Sequence, residues 1–228
     1  MILKLDNISK QYLIPQSSDI REVLDGISLE LRKGDSIAVT GPSGSGKSTL
    51  LNIMGTLDHP SSGTISFKGE DIGKLDNNHL ASIRNTNIGF VFQLHHLLPQ
   101  LNLFENIMLP LIPQKDKNLR EKANEKAMNL LDSVGLVDKI FQKPGQLSGG
   151  ECQRAAVVRA LINEPELILA DEPTGSLDQD SAHILGELLF QINIKHTVAI
   201  VVVTHSMELA NKMKTVYHLS KGKLMLQV

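Results

Sequence analysis

Gly41-Pro42-Ser43-Gly44-Ser45-Gly46-Lys47-Ser48-Thr49 constrains this chain more than any other stretch. The run fits the pattern Gly-x4-Gly-Lys-Ser/Thr. Before it, Asp35 to Thr40 reads as a short buried strand. After it, Thr49 to Met54 reads as the start of a helix. A strand passing through glycines into a helix is a unit of a parallel α/β sheet, and it is the context in which this motif cradles phosphate. Gly41, Gly44 and Gly46 let backbone N–H groups approach phosphate oxygens closely. The helix N-terminus adds partial positive charge. Lys47 would reach the β- and γ-phosphates of a nucleoside triphosphate, and Ser48 would ligate Mg²⁺.

A sheet of this kind needs further strands. Near-continuous apolar runs occur at Ile88–Phe92, Leu167–Ala170 and Val198–Val203, as expected of central strands covered on both faces. Ile2–Ile8, Gly26–Leu31 and Thr64–Phe67 also read as strands. Ile184, Leu185, Leu188, Leu189 and Ile192 recur at helical spacing before the last apolar run, which fits a βαβ crossover. From Leu103 to about Ala160 the pattern is helical and poor in strands, clearest over Leu119–Val134. It reads as a helical subdomain, inserted over roughly 94–160 in a domain that fills 1–228. The mixed charges of Lys115 to Lys126 suit a solvated helix face.

Ligands of open α/β sheets bind at the carboxyl ends of the strands. The run Leu167–Ala170 ends in Asp171 and Glu172. Asp171 would hold Mg²⁺, and Glu172 would polarise an attacking water as a general base. Gln93 ends a second apolar run, where its amide oxygen could reach Mg²⁺ or the water. His205 ends a third, within reach of a γ-phosphate and of Glu172. Any one of these polar ends is unremarkable alone. Four strands ending in Lys47's loop, Gln93, Asp171/Glu172 and His205 point to one catalytic edge.

A second glycine pair, in Leu147-Ser148-Gly149-Gly150-Glu151, opens a helix through Arg154, Val158 and Leu161, which Pro165 ends. The Ser148 hydroxyl and the glycine N–H groups make a second anion site, although N-capping by Ser148 uses the same donors. It lies too far along the chain to share the first pocket, which suggests a site completed by a second copy.

Bulk properties limit the alternatives. The chain has 228 residues, a formal net charge of −2 and one cysteine, Cys152. This gives no strong pull toward nucleic acid and no disulfide framework. Met1–Asp6 lacks a signal-peptide pattern, and the longest apolar run, about Val198–Val203, is far short of a membrane span. The expectation is a soluble chain whose membrane role comes through a partner.

The loop, Gln93, Leu147–Glu151, Asp171-Glu172, Ser176-Leu177-Asp178 and His205 stand in the order found in ATP-binding-cassette (ABC) ATPases, and the chain resembles that family along essentially its whole length. The resemblance implies an α/β P-loop NTPase fold of the ABC nucleotide-binding type, with a mainly parallel core sheet, an antiparallel β subdomain and an inserted helical subdomain. It implies ATP and Mg²⁺ as cofactors, and a head-to-tail homodimer with each ATP between one loop and the other copy's Ser148–Gly150. Ser176, Leu177 and Asp178 would line that interface, and Tyr12 would stack on adenine. Two integral-membrane subunits would dock near Gln93 and the inserted helices, holding the chain at the cytoplasmic face of the inner membrane. Apolar Leu94, Leu97 and Leu98 would form the docking patch.

A narrower resemblance, to ATPases of lipoprotein-releasing systems, rests on Phe92–Pro99, Glu105–Pro110, Leu147–Glu151 and Thr204–Ala210. Macrolide-exporter and cell-division ATPases share most of these motifs. The His95-His96 pair is the most telling part of it. Neighbours on an extended segment point apart, so the pair does not read as a metal site. Three positions depart from the family: Cys152 for Arg, Ser176 for Asn, and Ser206 for an acidic residue.

Overall fold

The computed structural model describes residues 1–13, 19–113 and 117–227. Strands β1 (Leu3–Leu13) and β2 (Ile20–Leu31) form a hairpin ahead of β3 (Ser36–Thr40), the phosphate loop and α1 (Lys47–Met54). Then come β4 (Ser62–Phe67), β5 (Glu70–Asp71), α2 (Asn77–Asn87) and β6 (Ile88–Val91). Helices α3 (Leu103–Met108), α4 (Lys117–Ser133) and α5 (Gly149–Leu161) follow. The chain closes with β7 (Leu167–Asp171), α6 (Gln179–His196), β8 (Ala199–Val203), α7 (Met207–Ala210), β9 (Thr215–Ser220) and β10 (Lys223–Gln227).

The strands make two sheets. One has the order β10-β9-β3-β8-β7-β6 and is parallel except for the β9–β10 hairpin. The other is antiparallel, in the order β2-β1-β4-β5. This is the mainly parallel core with an antiparallel sheet that the resemblance implied.

Strand β8 shows why the apolar runs are continuous. Ile200 and Val202 enter the core beneath the helices, whereas Ala199, Val201 and Val203 enter the core shared with α1 and the antiparallel sheet. Side chains alternate along a strand, so a strand covered on both faces must be apolar at every position. Leu103, Ile107, Ala127 and Leu131 of α3 and α4 pack in the same core as Ala38, Val91 and Ile168 of the sheet. The helical stretch is thus anchored on one sheet face, and α5 runs back from it directly into β7.

Two expectations change. Leu97 is buried at 5 % exposure, whereas Leu94 and Leu98 are 65 % and 46 % exposed. Leu98 is pinned by Asn106, which accepts from its N–H at 2.7 Å and donates to its carbonyl at 3.1 Å; this turns Leu97 into the core and removes it from the apolar patch. Helix α1 begins at Lys47, two residues before the helical pattern. Of the charged stretch Lys115–Lys126, Lys115 and Asp116 lie outside the described residues. At its far end Lys126 is tied down, donating to Ile162 O at 2.7 Å and pairing with Glu164 at 2.9 Å.

Candidate nucleotide site

The parallel sheet brings four strand ends side by side. Strand β3 feeds the phosphate loop, β6 leads to Gln93, β7 to Asp171 and Glu172, and β8 to His205. They border a cleft of about 880 Å³ whose walls include Lys47, Ser48, Thr49, Gln93, Glu172 and His205. Tyr12, Arg21 and Val23 of the antiparallel hairpin form its outer wall.

The loop needs glycine at two of its turns. Gly41 has φ +145°, and a Cβ there would lie 2.2 Å from Leu219 O. Gly46 has φ +102° and would drive a Cβ to 2.9 Å from Val23. Helix α1 starts without a side-chain cap, so its first N–H groups have no side-chain acceptor. Lys47 is buried and donates to Gly41 O at 2.9 Å and Pro42 O at 3.0 Å. The Ser45 hydroxyl is buried without a hydrogen-bond partner. An uncapped helix start, an ammonium satisfied only by carbonyls and an orphan hydroxyl fit a polyphosphate.

Ser48 donates to Asp171 Oδ1 at 3.1 Å. Burial pushes the Asp171 carboxyl above its usual range; the Ser48 hydrogen bond opposes this, the Glu172 charge adds to it, and Lys47 opposes. No group of three or more His, Cys, Asp or Glu side chains able to hold a metal exists among the described residues. The Ser48–Asp171 pair instead suits a Mg²⁺ that takes its remaining ligands from phosphate and water.

Glu172 follows β7 in the left-handed region, at φ +45°. Its N–H donates to Val203 O at 2.8 Å, which ties it to β8. Its Oε2 accepts from the His205 backbone N–H at 3.2 Å and lies 2.8 Å from His205 Nδ1. Glu172 is largely buried, and His205 is exposed toward the cleft. The segment after β6 is clamped by α5. Gln153 donates to Phe92 O at 2.6 Å, and Arg159 to His96 O at 2.6 Å and His95 O at 2.8 Å. His95 Nδ1 accepts from Leu97 N–H at 3.1 Å, and the His96 ring meets Phe92 edge-on at 5.2 Å. Both histidines serve local structure there.

The glycine pair lies elsewhere. None of residues 147–151 lines the cleft. Ser148 caps α5: its Oγ accepts from Glu151 N–H at 3.2 Å, and the Glu151 carboxylate accepts from Ser148 N–H at 2.8 Å. Glu151 also pairs with Lys139. Ser176 donates to Gln93 O at 3.0 Å, Leu177 is partly buried against the helical core, and Asp178 caps α6 by accepting from Ser181 N–H at 2.9 Å. The other departures have local partners too: Ser206 caps α7, and Cys152 is buried with Sγ 3.6 Å from Pro144 O.

Sequence reasoning missed Arg21, whose guanidinium lies 3.5 Å from Gly44 O across the phosphate loop. Only its alternation with Val23 on an unrecognised strand could have shown it.

This fold and this cleft define an ATP-binding cassette. The ABC transporter family model matches residues 24–175, and the chain belongs to that family. It is 46 % identical to the lipoprotein-releasing system ATP-binding protein LolD of Geobacter metallireducens, over 98 % of this chain and 97 % of that one. It is 43 % identical to LolD of Bacteroides thetaiotaomicron, over 98 % and 99 %. Among solved structures it resembles the dimeric structure of MJ0796, a bacterial ABC transporter cassette, with TM-score 0.86 and 38 % identity over 97 % of this chain and 95 % of that one. It also resembles a post-hydrolysis dimer of MJ0796 bound to ADP and Pi, with TM-score 0.85 and 36 % identity over 99 % and 98 %.

Proposed function

We propose that this chain is the ATP-hydrolysing subunit of a transporter that releases lipoproteins from the inner membrane toward the outer membrane. The observation that carries the ATPase part is the alignment of Lys47, Ser48, Gln93, Asp171, Glu172 and His205 along adjacent parallel strand ends. The cargo reading is supported by full-length similarity to LolD proteins.

In this reading Lys47 and the N–H groups of Gly44 to Ser48 hold the β- and γ-phosphates. Tyr12 stacks on adenine. Ser48 and Asp171, with Gln93, hold Mg²⁺, which when bound neutralises charge on the phosphates. The Glu172 carboxylate takes a proton from the attacking water as its oxygen bonds to the γ-phosphorus. The β–γ bridging bond breaks, giving ADP and phosphate. His205 holds Oε2 of Glu172 and so positions the carboxylate. Ser148 to Gly150 of a second copy close the site, with Ser176 to Asp178 at the seam.

No helix among the described residues is long and apolar enough to cross a membrane. In this reading two integral-membrane subunits hold the chain at the cytoplasmic face, as the similarity to LolD proteins supports. Exposed Leu94 and Leu98 form the surface for them, being apolar and beside Gln93. Each acyl CH₂ withdrawn from a bilayer costs about 0.8 kcal/mol, so a multiply acylated anchor needs external work to leave.

Depletion of the protein followed by envelope fractionation tests this. Lipoproteins destined for the outer membrane should accumulate in the inner membrane. Normal sorting accompanied by a drug-export or cell-division defect would overturn the cargo reading and leave the ATPase reading standing.

A further inference from the structure

Tyr12 does not stand free at the edge of the cleft. Its hydroxyl donates to Asp58 Oδ2 at 2.7 Å, while the other oxygen of Asp58 accepts from Lys10 Nζ at 2.7 Å. Lys10 also donates to His59 O at 2.6 Å, and its ammonium sits 4.9 Å over the Tyr12 ring. Lys10 does not line the cleft, although Tyr12 does. One ring face is therefore covered by the ammonium, and the other is left for a ligand.

Asp58 in turn belongs to the turn that ends α1. The N–H groups of Leu57 and Asp58 both donate to Asn52 O, at 2.8 Å and 3.3 Å. The next residues bind β1 again: Ser61 N–H donates to Ser9 O at 2.8 Å, and Ser61 Oγ accepts from Gln11 N–H at 3.0 Å. A continuous path thus runs from Lys47 at the start of α1, through its last turn, to the ring of Tyr12. Burial by itself would raise the Asp58 carboxyl, but Lys10, Tyr12 and the His59 amide hold it below its usual range. Asp58 is an anion at neutral pH, suited to hold a phenol and an ammonium together.

We propose that Asp58 is a positioning residue for the nucleotide base: it locks the Tyr12 ring, together with Lys10, at a fixed distance from the phosphate loop, so that base and phosphates are read by one rigid unit. The inference rests on the reading of Tyr12 as the residue that stacks on adenine. Asp58 touches no part of the nucleotide and acts only through Tyr12. A ring free to rotate must be ordered when the base binds, and pre-ordering removes that entropic cost. The gain therefore appears only for ligands that carry a base.

Calorimetric titration with ATP and with inorganic tripolyphosphate, both with Mg²⁺, separates this role from support of the fold. Asp58→Ala should weaken ATP binding about fivefold, the scale of one charge-assisted hydrogen bond at a partly exposed site. Tripolyphosphate affinity should stay within about twofold. Tyr12→Ala should act in the same direction, and the double variant should bind ATP no more weakly than Tyr12→Ala. Asp58→Asn keeps an acceptor for the phenol but not the charge for Lys10, and should give a smaller loss; it also serves if Asp58→Ala does not fold. Equal weakening of ATP and tripolyphosphate overturns the proposal, as does an undiminished Asp58 effect in the Tyr12→Ala background. A Tyr12→Ala chain with an unaltered ATP-to-tripolyphosphate ratio removes the stacking role of Tyr12 itself, and that failure is visible before any Asp58 variant is measured.

Discussion

Two helix starts in this chain treat anions differently. At the phosphate loop, α1 begins at Lys47 after Gly46, with no side-chain cap, and the nearby Ser45 hydroxyl has no partner. At Ser148, α5 begins with a complete capping box whose Glu151 is held further by Lys139. A helix start left open can take up phosphate without displacing anything. One already capped must exchange internal hydrogen bonds for ligand bonds, which leaves little net gain. The first can thus bind nucleotide within one chain. In the proposed reading, the second contributes only when a nucleotide is presented to it already fixed, as an ATP held by a second copy would be. Ligand binding across such an interface also drives association by mass action.

The largest effect that sharpens this contrast is chemical. Glu172→Gln should slow hydrolysis by about a hundredfold to ten-thousandfold, the usual range for general-base catalysis. ATP affinity should stay near normal, and the stalled chain should collect as an ATP-dependent dimer. Steady-state turnover and light scattering with Mg-ATP measure both; near-normal turnover would remove Glu172 from its role.

Lys47→Ala strikes the open end. ATP affinity should fall at least about a hundredfold, as the buried charge opposite the β- and γ-phosphates is lost. Ser148→Ala strikes the capped end. It should leave ATP affinity of the single chain within about twofold while lowering turnover about fivefold, the factor matching a loss near 1 kcal/mol typical of a missing cap. If Ser148→Ala weakened single-chain binding as Lys47→Ala does, the two ends would share one pocket and the contrast would break.

The smallest effect concerns stability. Asp171 has a raised folded-state pKa, first because of burial. For a raised pKa, the favourable contribution is complete below the unfolded value, about 3.9, and is lost as pH rises through the folded value. At pH 7 the ionised carboxyl is therefore a cost. Asp171→Asn should raise the melting temperature at pH 7 by about 1–3 °C, an advantage that vanishes near pH 3.5. Scanning calorimetry at the two pH values checks the sign.

Much of this architecture was legible in the sequence because its central strands are covered on both faces. The runs at Ile88, Leu167 and Val198 had to be apolar throughout, and each ended on a residue that reaches the cleft. Strands with a solvated face left weaker traces. The outer halves of β1 and β2 carry Lys10, Gln11, Arg21 and Glu22, and β10 is largely exposed; none of these read as strand. Arg21 and Asp58 were missed for the same reason, since their roles depend on pairings that only the folded hairpin creates. Helix α2 did carry a signal: Asp76 accepts from Asn78 and His79 N–H groups as an N-cap. Leu97 misled because a loop leucine gives no hint of which way the loop turns; Asn106, nine residues on, decides it through its bonds to Leu98.

Glu172 adopts a left-handed backbone, φ +45°, that glycine occupies without strain. A side chain there costs roughly 1–2 kcal/mol. Its N–H is tied to Val203 O of β8, so the chain carries this strain at the residue its chemistry needs most. The consequence is practical. Selection for heat tolerance alone would favour Glu172→Gly, which relaxes the turn and removes the base at once. Variants gathered by survival at high temperature would be enriched in inert proteins, and a thermostable form of this ATPase has to be sought with turnover measured at every round.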